Sequence, residues 1–363
     1  MKILILYSEI AGYVLSCVEA LAKLPPAEIK LIRWPVNQEA PFQFGAGGDQ
    51  IDMSIRTDWT DESLQALVKE WRPEVVFTTG WMDKGYVQAA KTAKALGIPV
   101  IAGIDNHWTG SPKQHIATWI SPWMIHSAFD YLWVPGYRQY AYAKRLGFKS
   151  SQIRIGYYSG DTTAFGQAAE AYRSDKAIQY PRELLYVGRI IEHKGIGELW
   201  NAFIETSDQH DWRLRIVGAG DFHEGLADHP RISVQGFVQP EELPSLAEQA
   251  GAFILPSRFE PWGVVLHEFA AAGLPLIASD ECGSADAFIR PGYNGYTFEG
   301  GNQSDLADKL LKLFSHSDDQ LRTLGERSEA LAAQITPEMW ASTLYDLAKS
   351  HASVSQATIT ETA

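Results

Sequence analysis

Residues 2–7, KILILY, form an apolar run that ends in a polar turn, the pattern of a strand buried on both faces. A helical spacing of apolar positions follows from about Gly12 to Leu24, and then a second strand-like run, EIKLIRW, at 28–34. The alternation continues: the helical TDESLQALVKEW precedes EVVFTTG, and GYVQAAKTAKAL precedes IPVIAGI. Asp61 and Glu62 fall in the first turn of the helix before EVVF, where the helix dipole favours negative charge. YLWVPG at 131–136 and a helix to about Leu146 complete a first series. Strands and helices alternating at these lengths predict parallel βαβ units.

Residues 156–181 lose the alternation and are rich in Gly, Ser, Thr and Tyr, so they are predicted to be a linker. The alternation resumes with ELLYVGR at 183–189, a helix over about 195–206, and four strand-plus-turn units, RLRIVGAG, ISVQGF, AFILPS and LPLIASD. The expected fold is α/β, with two Rossmann-like domains facing a cleft. Pro337 opens a further helix to about Lys349, expected to dock back on the first domain, and the Ser/Thr-rich end should be disordered. The predicted divisions are 1–160, 161–336, a returning helix at 337–350 and a tail at 351–363.

Bulk properties agree with two globular domains: 363 residues, 45% hydrophobic and 21% charged. The apolar start is too short for a signal peptide, and no window reaches the ~18 apolar residues of a membrane span. Cys17 and Cys282 fit neither a disulfide nor a metal pattern, and a cytoplasmic protein is expected. A net charge of −13 argues against nucleic acid as a partner. The acidity lies in the second half, because residues 1–150 hold 15 Lys and Arg against 14 Asp and Glu. A near-neutral first half leaves peripheral contact with the inner face of a membrane open.

Chemistry concentrates at 255–280, LPSRFEPWGVVLHEFAAAGLPLIASD. A strand ends at Ser257, and Pro261 keeps Glu260 out of the helical region, so a helix should begin at about Trp262 or Gly263. The amides of Gly263, Val264 and Val265 would then form an anion site at the helix start. Gly263 would let a ligand approach the main chain. Glu260 precedes this helix and Glu268 lies inside it, on the order of 8 Å along the axis. A diphosphate at the helix start would have a sugar near Glu260 and a ribose near Glu268. The alternative is a loop carboxylate and a solvated helix glutamate. Upstream, Arg189 follows a strand and Lys194 stands at the start of the next helix, two cations suited to a diphosphate and to charge on a departing nucleoside diphosphate. Taken alone, they read more simply as surface cations.

Together these segments resemble glycosyltransferase family 4, the retaining nucleotide-sugar transferases of the GT-B fold. The pattern stands as Gly188-Arg189, Lys194-Gly195, Val217-Gly218-Ala219-Gly220 and Glu260 with Glu268, and Gly160-Asp161 sits at the family's Gly-x-Asp position. The resemblance implies that Arg189 and Lys194 grip the diphosphate, Glu260 holds the sugar and Glu268 the ribose. The main chain near Phe237 and Val238 would meet the base. The first half matches less well. Gly12 is the single glycine where members carry a Gly-rich phosphate loop, and it reads equally as a turn. Members often have a sugar-directed histidine after the strand IPVIAGI. Asp105 is the closer match there and His107 the alternative.

The resemblance favours same-face substitution, in which the leaving phosphate takes the acceptor's proton, without a bound cofactor. No Asp-x-Asp motif calls for a metal. Eight of the twelve tryptophans precede residue 135, and indoles stack on sugar rings, so a saccharide or glycolipid acceptor is expected. Trp81, Trp108, His115 and Trp119, with His126, are candidates to contact it. The expected function is a metal-independent, retaining glycosyltransferase of polysaccharide or glycoconjugate biosynthesis, using a nucleotide-sugar donor. The alternatives are a nucleotide-sugar epimerase of similar build and a non-catalytic saccharide-binding protein. A dehydrogenase is a weaker rival, because VGAGDF lacks a third glycine and a following ribose-binding acid.

Overall fold

A computed structural model describes residues 1–25, 27–36 and 50–361. It divides into one unit of 1–159 with 337–363 and another of 160–336. The first unit is built on a parallel sheet of seven strands: β1 (Lys2–Tyr7), β2 (Glu28–Arg33), β3 (Ile51–Ile55), β4 (Val75–Thr79), β5 (Val100–Gly103), β6 (Tyr131–Val134) and β7 (Ile153–Ile155). Their order is β3-β2-β1-β4-β5-β6-β7, and the reversal falls between β1 and β4. Helices α1 (Gly12–Ala22), α2 (Asp61–Trp71), α3 (Lys84–Ala95), α4 (Pro112–Met124) and α5 (Tyr137–Arg145) make the crossovers.

The apolar run of β1 serves two cores at once. Ile3, Ile5 and Tyr7 pack into the cluster on one face, and Leu4 and Leu6 into the cluster on the other. Burial on both faces is what a continuous apolar strand requires. The first of these clusters is completed from far along the chain. Helix α12 (Pro337–Glu361) brings Trp340, Ala341, Leu344, Leu347 and Ala348 to it. Trp340 stacks on Trp133 with ring centroids 5.0 Å apart, and its indole N–H donates to the Tyr157 carbonyl at 2.9 Å.

The second unit repeats the design with six parallel strands: β8 (Glu183–Val187), β9 (Arg213–Val217), β10 (Ile232–Gln235), β11 (Ala252–Leu255), β12 (Leu276–Ser279) and β13 (Gly295–Phe298). Their order, β10-β9-β8-β11-β12-β13, reverses between β8 and β11. Open sheets of this kind bind ligands at the carboxyl ends of the strands that flank such a reversal. The helices are α6 (Thr162–Ile178), α7 (Ile196–Thr206), α8 (Val264–Ala271), α9 (Ala285–Phe288), α10 (Gln303–Phe314) and α11 (Asp318–Ala332).

The structure corrects three expectations. The stretch 156–181 is no bare linker: Asp161 caps α6, its carboxylate accepting from the Ala164 amide at 3.0 Å, and the helix fills most of the segment. Its apolar positions are sparse and only Phe165 is buried, which is why the periodicity was faint. The tail expected to be disordered from 351 is helical to Glu361, with no Pro or Gly to stop the helix that Pro337 opens, and its last two residues lie outside the described ones. The helix expected at Trp262 or Gly263 starts at Val264, because Gly263 takes a left-handed conformation instead.

Candidate active site

The loops after β8 and β11 flank the reversal in the second sheet, and they are tied to each other directly. Lys194, from the loop after β8, pairs through Nζ with Oε2 of Glu260, from the loop after β11. Both side chains are largely buried, 15% and 13% exposed, so the pair is shielded from the solvent that weakens surface bridges. Ser257 donates its hydroxyl to the same carboxylate oxygen at 3.3 Å. A second tie runs between the loops, from the Arg258 amide to the His193 carbonyl at 2.9 Å. Lys194 was expected at the start of a helix, and the structure corrects this. The residue ends a short 3-10 turn, Glu192–Lys194, one residue before the Gly195 that caps α7.

The Glu260 loop is braced from its other side by the loop after β12. The Glu260 amide donates to the Glu281 carbonyl at 3.3 Å, and Gly283 donates back to the Glu260 carbonyl at 3.0 Å. The Ser284 amide donates to Trp262 at 2.9 Å and its hydroxyl to the Gly263 carbonyl at 2.9 Å. Cys282 is buried beneath this loop, where its thiol donates to the Trp262 carbonyl at 3.2 Å. Burial, with the Glu260 charge adding to it, pushes the thiol up to about 12, so it packs as a neutral group.

Gly263 has φ +87, and a Cβ there would lie 2.7 Å from Leu255 and 3.0 Å from Glu260. Conformation and crowding both require glycine, whether or not a ligand approaches. Behind it α8 begins with no side chain capping its first turn, with Val264 and Val265 leading. Among the described residues, this helix start and the Lys194–Glu260 pair stand at one end of the sheet. Gly218, expected at the donor site, meets a packing need as well: a Cβ on it would fall 1.8 Å from the Gly188 carbonyl oxygen. The loops after β8 and β9 can touch only because that side chain is missing. Gly188 itself donates to the Val217 carbonyl at 3.0 Å. Arg189 is exposed, and its carbonyl accepts from the Tyr186 hydroxyl at 2.8 Å. Val238 is half-buried on the turn between β10 and a 3-10 helix, Pro240–Ala247.

Glu268 is not a solvated helix residue: it is 8% exposed. Burial pushes its carboxyl up to about 8, the Asp161 charge adds to this, and the Asp161 backbone N–H opposes it. The adjacent His267 is fully buried. Its Nδ1 accepts from the Gly160 amide at 2.9 Å, which makes Nε2 the donor to the Ala332 carbonyl, also at 2.9 Å. Burial lowers this imidazole to about 4, so it is neutral. The expected Gly160-Asp161 position is therefore docked on α8, through His267 and Glu268 together.

In the first unit Asp105 follows β5, and the Tyr158 hydroxyl donates to its carboxylate at 3.2 Å. Tyr158 in turn stacks on Tyr157 at 4.2 Å and meets Tyr13 edge-on at 5.7 Å. Asp105 is thus set near the loop after β1, where Gly12 is the first residue of α1. Tyr13 and Tyr158 were not foreseen, since nothing in their sequence neighbourhoods marks them. His107 is held through its main chain, which accepts from the Gln114 amide group at 2.7 Å. His126 has a structural part: it stacks on Phe148 at 4.1 Å and bonds the Leu146 carbonyl at 2.9 Å. Trp81 and Trp108 are half-buried against the core, Trp81 near Phe129 and Trp108 between His115 and Arg145. Trp119 stands apart from them, 74% exposed on α4. Among the described residues no group of three or more His, Cys, Asp or Glu could hold a metal ion, and no helix is long and apolar enough to cross a membrane.

Two successive Rossmann-like units, with a final helix returned to the first, define the GT-B fold. Solved structures agree. HepE of Anabaena, crystallised with UDP and glucose, matches with a TM-score of 0.70 over 96% of this chain and 99% of its own, at 16% identity. Sucrose-phosphate synthase of Thermosynechococcus elongatus gives 0.72 over 97% and 99%, at 19% identity. Residues 169–330, inside the second unit, match the family model for glycosyl transferases group 1. Glycogen synthase of Mycobacterium tuberculosis is 26% identical over 266 residues, 69% of this chain and 62% of that enzyme. The chain thus spans less than two thirds of that relative. An uncharacterised glycosyltransferase of Methanocaldococcus jannaschii is 31% identical over 138 residues, 35% of each chain.

Proposed function

We propose that the protein is a retaining, metal-independent glycosyltransferase that moves a sugar from a nucleotide-sugar donor to a saccharide or glycolipid acceptor. The observation that carries this is the Lys194–Glu260 pair, set beside the uncapped start of α8 at the strand reversal of the second sheet. A diphosphate laid against that helix start meets amide dipoles and the Lys194 ammonium, while Glu260 accepts hydroxyl protons of the sugar. Arg189, on the same loop as Lys194, adds a second cation. Glu268 takes the ribose, and the main chain at Val238 takes the base. As the sugar–phosphate bond breaks, the cations stabilise the growing negative charge, and the departing phosphate takes the acceptor's proton. Glu260 is already engaged by Lys194 and Ser257, which suits a carboxylate that orients the sugar better than one that attacks it.

HepE binds UDP and glucose, and this makes UDP the first nucleotide to test. Saturating UDP should stabilise the protein by about 2.7 kcal/mol at a hundredfold excess over Kd, read as a rise in melting temperature. Lys194→Ala should abolish that rise and lower turnover by at least about 100-fold, the scale of a lost charge stabiliser. Proton NMR of the first product should show the donor's anomeric configuration kept. An unchanged turnover in Lys194→Ala, or an inverted product, would refute the reading.

A further inference from the structure

Helix α4 turns four of its large apolar side chains outward. Among its thirteen residues only Ser121 is buried. Ile116, Trp119, Trp123 and Met124 follow one another at helical spacing and are 58%, 74%, 67% and 55% exposed. Trp119 and Trp123 touch each other edge-on at 6.1 Å, forming a continuous ridge. Exposed apolar surface of this extent on a soluble unit marks a docking surface.

The charge around the ridge indicates what covers it. Residues 106–160 hold six Lys and Arg and a single acid, Asp130, in a chain whose net charge is −13. That one acid is neutralised by Lys94 at 2.7 Å. Packing brings the cations of α5 beside α4. The Arg145 guanidinium lies 4.6 Å over the Trp108 ring, which meets His115 of α4 at 4.8 Å. The Ser121 hydroxyl donates to the Leu146 carbonyl at 2.7 Å, fixing α4 against the end of α5, where Lys144 and Arg145 stand. Lys113 lies one turn before Ile116 on α4 itself.

We infer that α4 and the basic end of α5 dock this protein on an anionic lipid surface. Indole, branched aliphatic and thioether groups enter the headgroup boundary, while Lys113, Lys144 and Arg145 meet lipid phosphates. A sugar polymer fits less well, because Ile116 and Met124 offer no flat ring to stack on a pyranose. This inference concerns residues of the first unit, whereas the Lys194–Glu260 pair belongs to the second, and it stands without the proposed activity.

The test is flotation of the full chain with vesicles of phosphatidylcholine alone, or of three parts phosphatidylcholine to one part phosphatidylglycerol. Binding is expected only to the anionic vesicles, weakening as salt is raised. Brominated lipid should quench the tryptophan emission on binding, a readout that needs no variant. Trp119→Ser with Trp123→Ser should lower the partition coefficient by about tenfold. Lys144→Gln with Lys113→Gln should do so by a similar factor of about ten, on anionic vesicles only. These side chains are exposed, so unchanged melting temperatures should confirm that the variants fold. No flotation with anionic vesicles would overturn the inference, as would equal binding to neutral ones. So would a dimeric mass in light scattering that the double tryptophan variant returns to monomer, because a second copy would then cover the ridge.

Discussion

Lys194 and Glu260 are 66 residues apart in the chain and bonded in the fold, because the strand order places β8 next to β11. Their candidacy was legible in sequence from the spacing of cations and carboxylates around strand ends. Their pairing was not, since adjacency of two loops follows from strand order, which periodicity does not reveal. Tyr158, the partner of Asp105, was invisible for the same reason: the two are 53 positions apart. Gly263 teaches a related lesson. Sequence suggested that it clears room for a ligand, and the structure gives it a further duty, a left-handed turn wedged between Leu255, Glu260 and Cys282. Gly263→Ala should therefore destabilise the second unit by roughly 1–3 kcal/mol, even without ligand. Urea unfolding of the unliganded protein checks this. An unchanged midpoint would leave ligand access as the residue's only role.

At the scale of the element, α8 carries two neighbouring buried groups whose titrations act on stability in opposite directions. His267 is lowered from 6.5 to about 4, so the folded state binds fewer protons. Its contribution is present above pH 6.5 and is lost as pH falls toward 4. Glu268 is raised from 4.5 to about 8, so the folded state binds more protons. Its contribution is complete below pH 4.5 and is lost as pH rises toward 8. Glu268→Gln should remove a decline of roughly 1–3 kcal/mol between pH 5 and 8. Urea midpoints measured across that interval decide the matter: parallel curves for wild type and variant would refute the burial of the carboxyl. The continuous apolar strands β1, β4, β8 and β11 were all read from pattern. The misses share a weak apolar pattern. β3 is a partly exposed edge strand, β7 has three residues, and β13 opens with glycine and carries Thr297, so none shows a clear period. Helix α6 was missed because it buries a single side chain.

For the whole molecule, two similar sheets were legible because the same alternation occurs twice, with a change of composition between. The seam between the units, at 159 and 160, lies at the start of the stretch read as a linker. What no pattern of apolar residues could supply is the identity of donor and acceptor, which depends on loop shape. The proposed catalysis by cations of the protein itself carries a prediction at this scale. On that proposal Lys194 and Arg189 would supply the charge a metal otherwise brings, and turnover should persist within about twofold in excess EDTA. Activity lost to the chelator and restored by magnesium would sink that assignment.

The route of the chain through its two units has a consequence for how the protein is made. The first unit borrows Trp340, Leu344 and Leu347 from a helix that follows the entire second unit. While the chain is being synthesised, the core that Ile3 and Ile5 join stays incomplete until α12 has followed the whole second unit out of the ribosome. Until then its greasy surface is a hazard for aggregation. The N-terminal half therefore matures last, although it is made first, and a nascent chain halted before residue 337 should be a substrate for chaperones.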